Sequence, residues 1–193
     1  MLLTHNLNKP FVTRKGITLI FENVVFPDSV GFRCGKCGVC CRMQPPDIDN
    51  AEQRKIEARG FKNFFERPNN TGIAWIRRKK DDSCFFLLNK KCVIYDVRPA
   101  ICRLEPFTIV DYSYLENRIE LALNFPFSSC CMGIYDKEEF PVKEIAEAAQ
   151  TMIQKILSLT ARDLGLPITD KRVQRETRSR LLRRTAEMAD LQL

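Results

Sequence analysis

The sequence predicts an α+β fold, in which a small antiparallel sheet carries an inserted cysteine-rich loop and a C-terminal helical hairpin packs alongside. Three observations lead there. Short runs of β-branched and aromatic residues are bounded by turn residues, Ile17–Phe26 (ITLIFENVVF) foremost. Four cysteines fall within eight residues, Cys34-Gly35-Lys36-Cys37-Gly38-Val39-Cys40-Cys41. After Tyr135 the apolar residues Val142, Ile145, Ala149, Met152 and Ile156 take up helical spacing. The chain therefore divides at that point, into residues 1–135, which hold every cysteine, and a helical extension over 136–193.

Taken in order, Ile17–Phe26 reads as a strand stopped by Pro27-Asp28, after which the chain enters the cysteine loop. Gly35 and Gly38 supply the permissive backbone that a tight turn there demands. Pro45-Pro46 ends the loop, and Asp47 or Asp49 is a suitable N-cap for a helix over 50–59, with Gly60 as its stop. Phe61, Phe64 and Phe65 predict a short packing turn, and Ile73–Arg77 a strand followed by the charged turn Arg78–Asp82. Cys84–Leu88 and Cys92–Tyr95, joined by Asn89-Lys90-Lys91, have the form of a β-hairpin that brings Cys84 near Cys92. Leu104–Tyr112 and Arg118–Asn124 form a second strand pair. Gly165-Leu166-Pro167 breaks the first C-terminal helix, and Thr169 or Asp170 caps the last.

With 193 residues, 45% hydrophobic and 28% charged, the chain is long enough to bury a core without cross-links. No apolar run is long enough to span a bilayer, so no membrane association is expected. The N-terminal Met1–Asn6 lacks the sections of a signal peptide, so a cytoplasmic location is expected. In a reducing compartment, nine clustered cysteines point to metal ligation rather than disulfides. The one histidine, His5, is remote from every cysteine cluster and reads as a solvated residue. An all-thiolate site selects iron–sulfur, zinc or Cu(I) over oxygen-preferring cations. The formal charge of +7 counts thiols as neutral. Two four-thiolate sites at about −2 each bring it to roughly +3, so the basic balance is weak evidence for nucleic acid.

A CxxCxxC run followed by a remote cysteine is one way to hold a 4Fe–4S cluster. Cys34, Cys37 and Cys40 with a downstream cysteine are the candidates for a first site. Cys41 follows Cys40 directly, and adjacent side chains tend to point apart, so one of the two is expected to serve a second site. Cys84, Cys92, Cys102 and either Cys130 or Cys131 complete eight ligands, with one cysteine left over. Arg98-Pro99 is suited to start a helical turn with Cys102 just inside it, where a helix N-terminus favours the thiolate.

These residues resemble the YkgJ-type CxxCxxCC cysteine-cluster family of zinc- or iron-chelating proteins. Cys34 to Cys41 match its naming motif in full. A second block matches as Cys84, then Cys92-Val93-Ile94-Tyr95, Arg98-Pro99, Cys102-Arg103 and Pro106-Phe107. A late Cys-x-Gly is present as Cys131-Met132-Gly133, which implies that Cys131 is the ligand and Cys130 the spare. The resemblance covers about residues 30 to 135 and implies a metal or iron–sulfur role without naming a reaction. A related flagellin lysine methylase shares the cysteine block, but the Gly-rich loop of a methyl-transfer cofactor is absent here.

The reading of the sequence is a cytosolic metalloprotein holding one or two iron–sulfur clusters, 4Fe–4S in type, through Cys34, Cys37, Cys40, Cys41, Cys84, Cys92, Cys102 and Cys131. Arg98 and Arg103 would neutralise thiolate charge. The role would be electron transfer, redox sensing or support of a modification enzyme, with a redox or modification-enzyme partner. No catalytic residue stands out. The alternatives are structural zinc in four-cysteine sites, or a nucleic-acid adaptor using the basic stretch Lys171–Arg184. That stretch reads better as a solvated face, or as a partner for Glu138, Glu139, Glu144 and Glu147. Trp75, the only tryptophan, is expected in the core.

Overall fold

A computed structural model describes residues 23–27, 30–43, 45–67, 74–113, 116, 118–125, 127–135 and 141–190. In chain order the elements are β1 (Asn23–Val25), β2 (Gly31–Phe32), β3 (Asp47–Ile48), α1 (Asn50–Glu57), β4 (Phe65–Glu66), β5 (Ala74–Ile76), β6 (Leu87–Leu88), β7 (Lys91–Cys92) and α2 (Ala100–Leu104). They continue with β8 (Phe107–Ser113), β9 (Arg118–Leu123), α3 (Phe127–Cys130), β10 (Ile134–Tyr135), α4 (Val142–Leu164) and α5 (Lys171–Asp190). The fold is α+β, as expected, but its strands form several small sheets rather than one. The orders are β1-β9-β8, β10-β2, β3-β5-β4 and β6-β7. Every pairing is antiparallel except that of β1 with β9, which is parallel.

Local chemistry explains the element ends. Asp49 caps α1 by accepting from the N–H groups of Ala51 and Glu52, while Glu52 reaches back to the Asp49 N–H, a reciprocal capping box. Gly165 closes α4 in the left-handed conformation (φ 63°). Asp170 accepts from the Arg172 N–H at the start of α5. The β6–β7 turn is the two-residue Asn89-Lys90, both at positive φ, as a tight hairpin requires. Lys91 belongs to the returning strand.

Two apolar cores result. The first joins Val24, Phe32, Phe107, Ile119 and Leu121 of the sheets to Ala100 and Leu104 of α2, Ile145, Ala149, Ile153 and Leu157 of α4, and Val173 and Leu181 of α5. The C-terminal helices thus share one core with the β8–β9 pair. The second core, built from chain between Ile48 and Ile94, packs Ile56, Phe64, Ile76 and Phe86. Phe64 and Phe86 meet at 5.2 Å between ring centroids. A buried ion pair ties the two units together. Lys155 of α4 binds Glu52 of α1 at 2.5 Å, and Glu52 also accepts from the Ala100 N–H of α2 at 2.7 Å.

Several expectations change. Of the strand Ile17–Phe26, residues 17–22 lie outside the described residues and Asn23–Val25 is strand. Glu138 and Glu139, like His5, also lie outside them. Phe65 extends the Phe61–Phe65 turn into a strand. Trp75 is surface rather than core, 49% exposed, because side chains alternate along β5 and those of Ala74 and Ile76 take the buried face. The basic helix pairs with other acids than expected. Arg178 grips Asp111 through two bonds of 2.7 and 2.6 Å, Arg180 binds Asp163 and Glu176, and Arg183 binds Glu176. Glu144 pairs with Arg98 instead.

Candidate metal centre

A cavity of about 800 Å³ lies at the junction of the two cores. Cys34, Cys37, Cys40, Cys41, Cys84, Cys92, Cys102 and Cys131 all line it. Cys130, exposed at the end of α3, is not among the lining residues. The eight expected thiols therefore face one space, which is the central observation about this site.

Backbone approach places them. The loop's Gly38 sits against the hairpin so closely that a Cβ there would stand 2.7 Å from Leu87 Cδ1 and 2.9 Å from the Lys90 carbonyl oxygen. Its φ of 76° adds a second requirement for glycine. The Cys84 N–H donates to the Cys41 carbonyl at 2.7 Å, joining loop to hairpin. On the other wall, β10 pairs with β2, and the Arg33 N–H donates to the Gly133 carbonyl at 2.9 Å, which brings Cys131 to the Cys34 end of the loop. A Cβ on Gly133 would stand 2.3 Å from the Arg33 carbonyl oxygen. The glycine of the Cys-x-Gly motif thus has a steric reason.

The thiols interact strongly. Cys41 lies within hydrogen-bonding reach of Cys40, Cys84 and Cys92, and these contacts push its own pKa far up. The same contacts hold Cys40 and Cys92 down to about 7 and Cys84 below its ordinary value, against burial, which raises all three. Cys40 and Cys41 do not diverge as expected, because both lie in a 3-10 turn, Cys40–Arg42, where successive side chains turn by about 120° rather than the 180° of a strand. Cys102 also departs from expectation. Burial, with Cys40, Cys84 and Cys92 nearby, raises its pKa well above the usual thiol range, and the five-residue α2 does not offset this. Burial likewise raises Cys131.

Of the two arginines expected beside the thiols, Arg98 is the one that faces them. It lines the cavity, 9% exposed, with Nη1 3.9 Å from Cys34 Sγ and its guanidinium 3.9 Å over the Tyr95 ring. Its Nη2 binds Glu144 at 2.5 Å, and its buried Nε has no hydrogen-bond partner. Arg103 does not line the cavity. Sequence reasoning missed Tyr95, Lys155 and Trp75 as lining residues. The position of Tyr95 within Cys92-Val93-Ile94-Tyr95 was its only signal.

The donor set fits a sulfur-ligated metal group: thiols, with no imidazole among the described residues, and a buried cation beside them. Among the described residues, no helix is long and apolar enough to cross a membrane.

Comparison with known proteins agrees with the donor set. Residues 33–131 match the CxxCxxCC family, whose description is "Putative zinc- or iron-chelating domain". An uncharacterized protein of Methanocaldococcus jannaschii is 30% identical over 118 residues, which are 58% of this chain and 62% of that relative's length. No solved structure matches the chain. Matched over just over half of its length, from Arg33 to Cys131, the chain belongs to the CxxCxxCC family and is a metal-binding cysteine-cluster protein.

Proposed function

We propose that the protein is a cytosolic iron–sulfur protein, holding one or two 4Fe–4S clusters through cysteines alone, in service of electron transfer, redox sensing or a modification enzyme. The observation that supports this reading is the number of thiols facing one space: eight line a cavity of about 800 Å³, twice the four that one tetrahedral ion uses. A tetrahedral zinc at Zn–S distances of about 2.3 Å is complete with four thiolates and leaves the other four unused. A cluster with four irons and four sulfides spreads its thiolates more widely and fills a larger space. All nine cysteines are free, which fits a reducing compartment. A redox or modification-enzyme partner would dock at the cavity mouth, near the exposed Trp75.

Anaerobic purification with iron, zinc and acid-labile sulfide analysis and a visible spectrum tests the reading. Iron and sulfide in equal amounts, with a broad brown absorbance that bleaches on reduction, are expected. A colourless protein with stoichiometric zinc and no sulfide would sink it and leave structural zinc in its place.

A further inference from the structure

Building on the iron–sulfur reading, we propose that Tyr95 and Arg98 act as one positioning pair that raises the reduction potential of the bound metal group, the Tyr95 hydroxyl and the Arg98 guanidinium both meeting the Cys34 sulfur.

Three segments assemble the pair. Tyr95 opens the 3-10 turn Tyr95–Val97 behind the hairpin, and Arg98 follows that turn directly. Both line the cavity, and the guanidinium lies 3.9 Å over the Tyr95 ring. Arg98 Nη1 stands 3.9 Å from Cys34 Sγ, and the Tyr95 hydroxyl is within hydrogen-bonding reach of the same sulfur. From α4, Glu144 holds the guanidinium through Nη2 at 2.5 Å. The cysteine loop contributes Lys36, whose Nζ is 4.5 Å from the Tyr95 ring centre. Lys36 has a φ of 54°, so the loop keeps a lysine in the left-handed region, where glycine would be at ease, with its cation over Tyr95.

The other groups of the lining are otherwise engaged. Lys155 is committed to Glu52 and Asp49. Cys84 and Cys92 receive backbone N–H groups, from Phe86 and Ile94. At Cys34 the donors are side chains, so their effect on a bound group is open to substitution.

An electron added to an iron–sulfur group spreads onto its thiolate ligands, and no bond forms or breaks. A hydrogen-bond donor or a cation beside such a sulfur stabilises the reduced state more than the oxidised one, which raises the potential. Arg98 is buried, so salt screens its charge little. A phenol, with an ordinary pKa of about 10, keeps its proton at neutral pH and donates. Glu144 works in the opposite sense, because its carboxylate cancels part of the Arg98 charge.

The experiment uses the full chain loaded anaerobically with iron and sulfide, titrated with dithionite in the presence of redox mediators and followed by EPR of the reduced form. Tyr95→Phe keeps the ring under the guanidinium and removes only the hydroxyl. Its reduction equilibrium constant should fall about tenfold, which is about 59 mV for one electron. Glu144→Gln keeps an acceptor for Nη2 and removes the negative charge, so its potential should rise. Both variants should retain the iron and sulfide of the unsubstituted chain. A Tyr95 that serves only packing would leave the Tyr95→Phe potential unchanged, and a general loosening of the site would move both variants the same way; either result overturns the proposal. If Tyr95→Phe fails to take up iron, Glu144→Gln decides: a raised potential supports the proposal, and an unchanged or lowered one overturns it. Zinc without sulfide in the unsubstituted chain would undo the iron–sulfur reading and the proposal with it. Full iron and sulfide with unmoved potentials would undo the proposal alone.

Discussion

Two glycines of one motif, Gly35 and Gly38, should respond very unequally to alanine. At Gly38 the added methyl would stand 2.7 Å from Leu87 Cδ1 and 2.9 Å from the Lys90 carbonyl oxygen, and the backbone holds φ at 76°. The leucine end can move, but the carbonyl belongs to a tight two-residue turn and cannot do so without opening the hairpin. The left-handed conformation costs a non-glycine residue about 1–2 kcal/mol, and forcing a methyl into a filled space costs about 1–3 kcal/mol. The sum is about 2–5 kcal/mol, a large share of the roughly 5–15 kcal/mol that stabilises a typical domain. At Gly35 nothing lies within 4 Å of the added methyl and φ is not in the left-handed region, so a change within about 0.5 kcal/mol is expected. Urea unfolding of both variants in the metal-free state measures the difference, and metal content after reconstitution reports whether the loop still closes the cavity. Gly38→Ala should lose stability and metal together. Equal midpoints for the two variants would refute the claim that the loop is seated on the hairpin.

Three further outcomes follow from the same geometry. Lys155→Met should cost about 3 kcal/mol in urea unfolding, because Glu52 stays buried without its cation; adding Glu52→Gln should recover about 1 kcal/mol or more. Burial works to raise the Asp111 pKa, but the Arg178 bonds, the Tyr112 N–H and the charges of Arg178 and Arg118 together hold the carboxyl below its ordinary 3.8. A lowered folded pKa gives stability that is present above the unfolded value and lost as pH falls through the folded one. Arg178→Met should therefore cost about 1 kcal/mol or less at neutral pH, since Arg178 is half-exposed, and nothing below the folded pKa of Asp111. Trp75, alone of its kind and at the cavity rim, should lose fluorescence on metal loading and regain it with a chelator. Unchanged emission would place the metal elsewhere.

The parts of the fold legible in the sequence are those set by local rules. Asp49 and Asp170 are caps whose side chains reach their own backbone, so no tertiary contact was needed to find them. The tight turn at Asn89-Lys90, which joins Leu87–Leu88 to Lys91–Cys92, and the Gly165 break are equally local, whereas Cys84 pairs with Arg78 and Tyr95 starts a 3-10 turn. The parallel partner of β1 is nearly a hundred residues away, and nothing near Asn23–Val25 encodes that choice. Trp75 was misplaced because composition cannot say which face of a three-residue strand is buried. The thiols divide the same way. Their spacing announced a metal site, but Cys40 staying with Cys41 depends on a 3-10 turn that the CxxCxxCC spacing does not specify. The Cys102 environment is likewise a matter of what surrounds α2, where burial overrides position in the helix.

The cavity's position between two cores links occupancy to folding cooperativity. Chain between Ile48 and Ile94 packs one core, while the segments before and after it pack the other, and thiols from both walls face the gap. A group bound there acts as a further cross-link between units that the Lys155 pairs with Glu52 and Asp49 and the Ala100–Glu52 bond already join. With the group in place the two units should melt as one; without it, the inserted unit is free to open first. Metal loss would then be felt as a change in the number of unfolding steps before it is felt as a fall in stability.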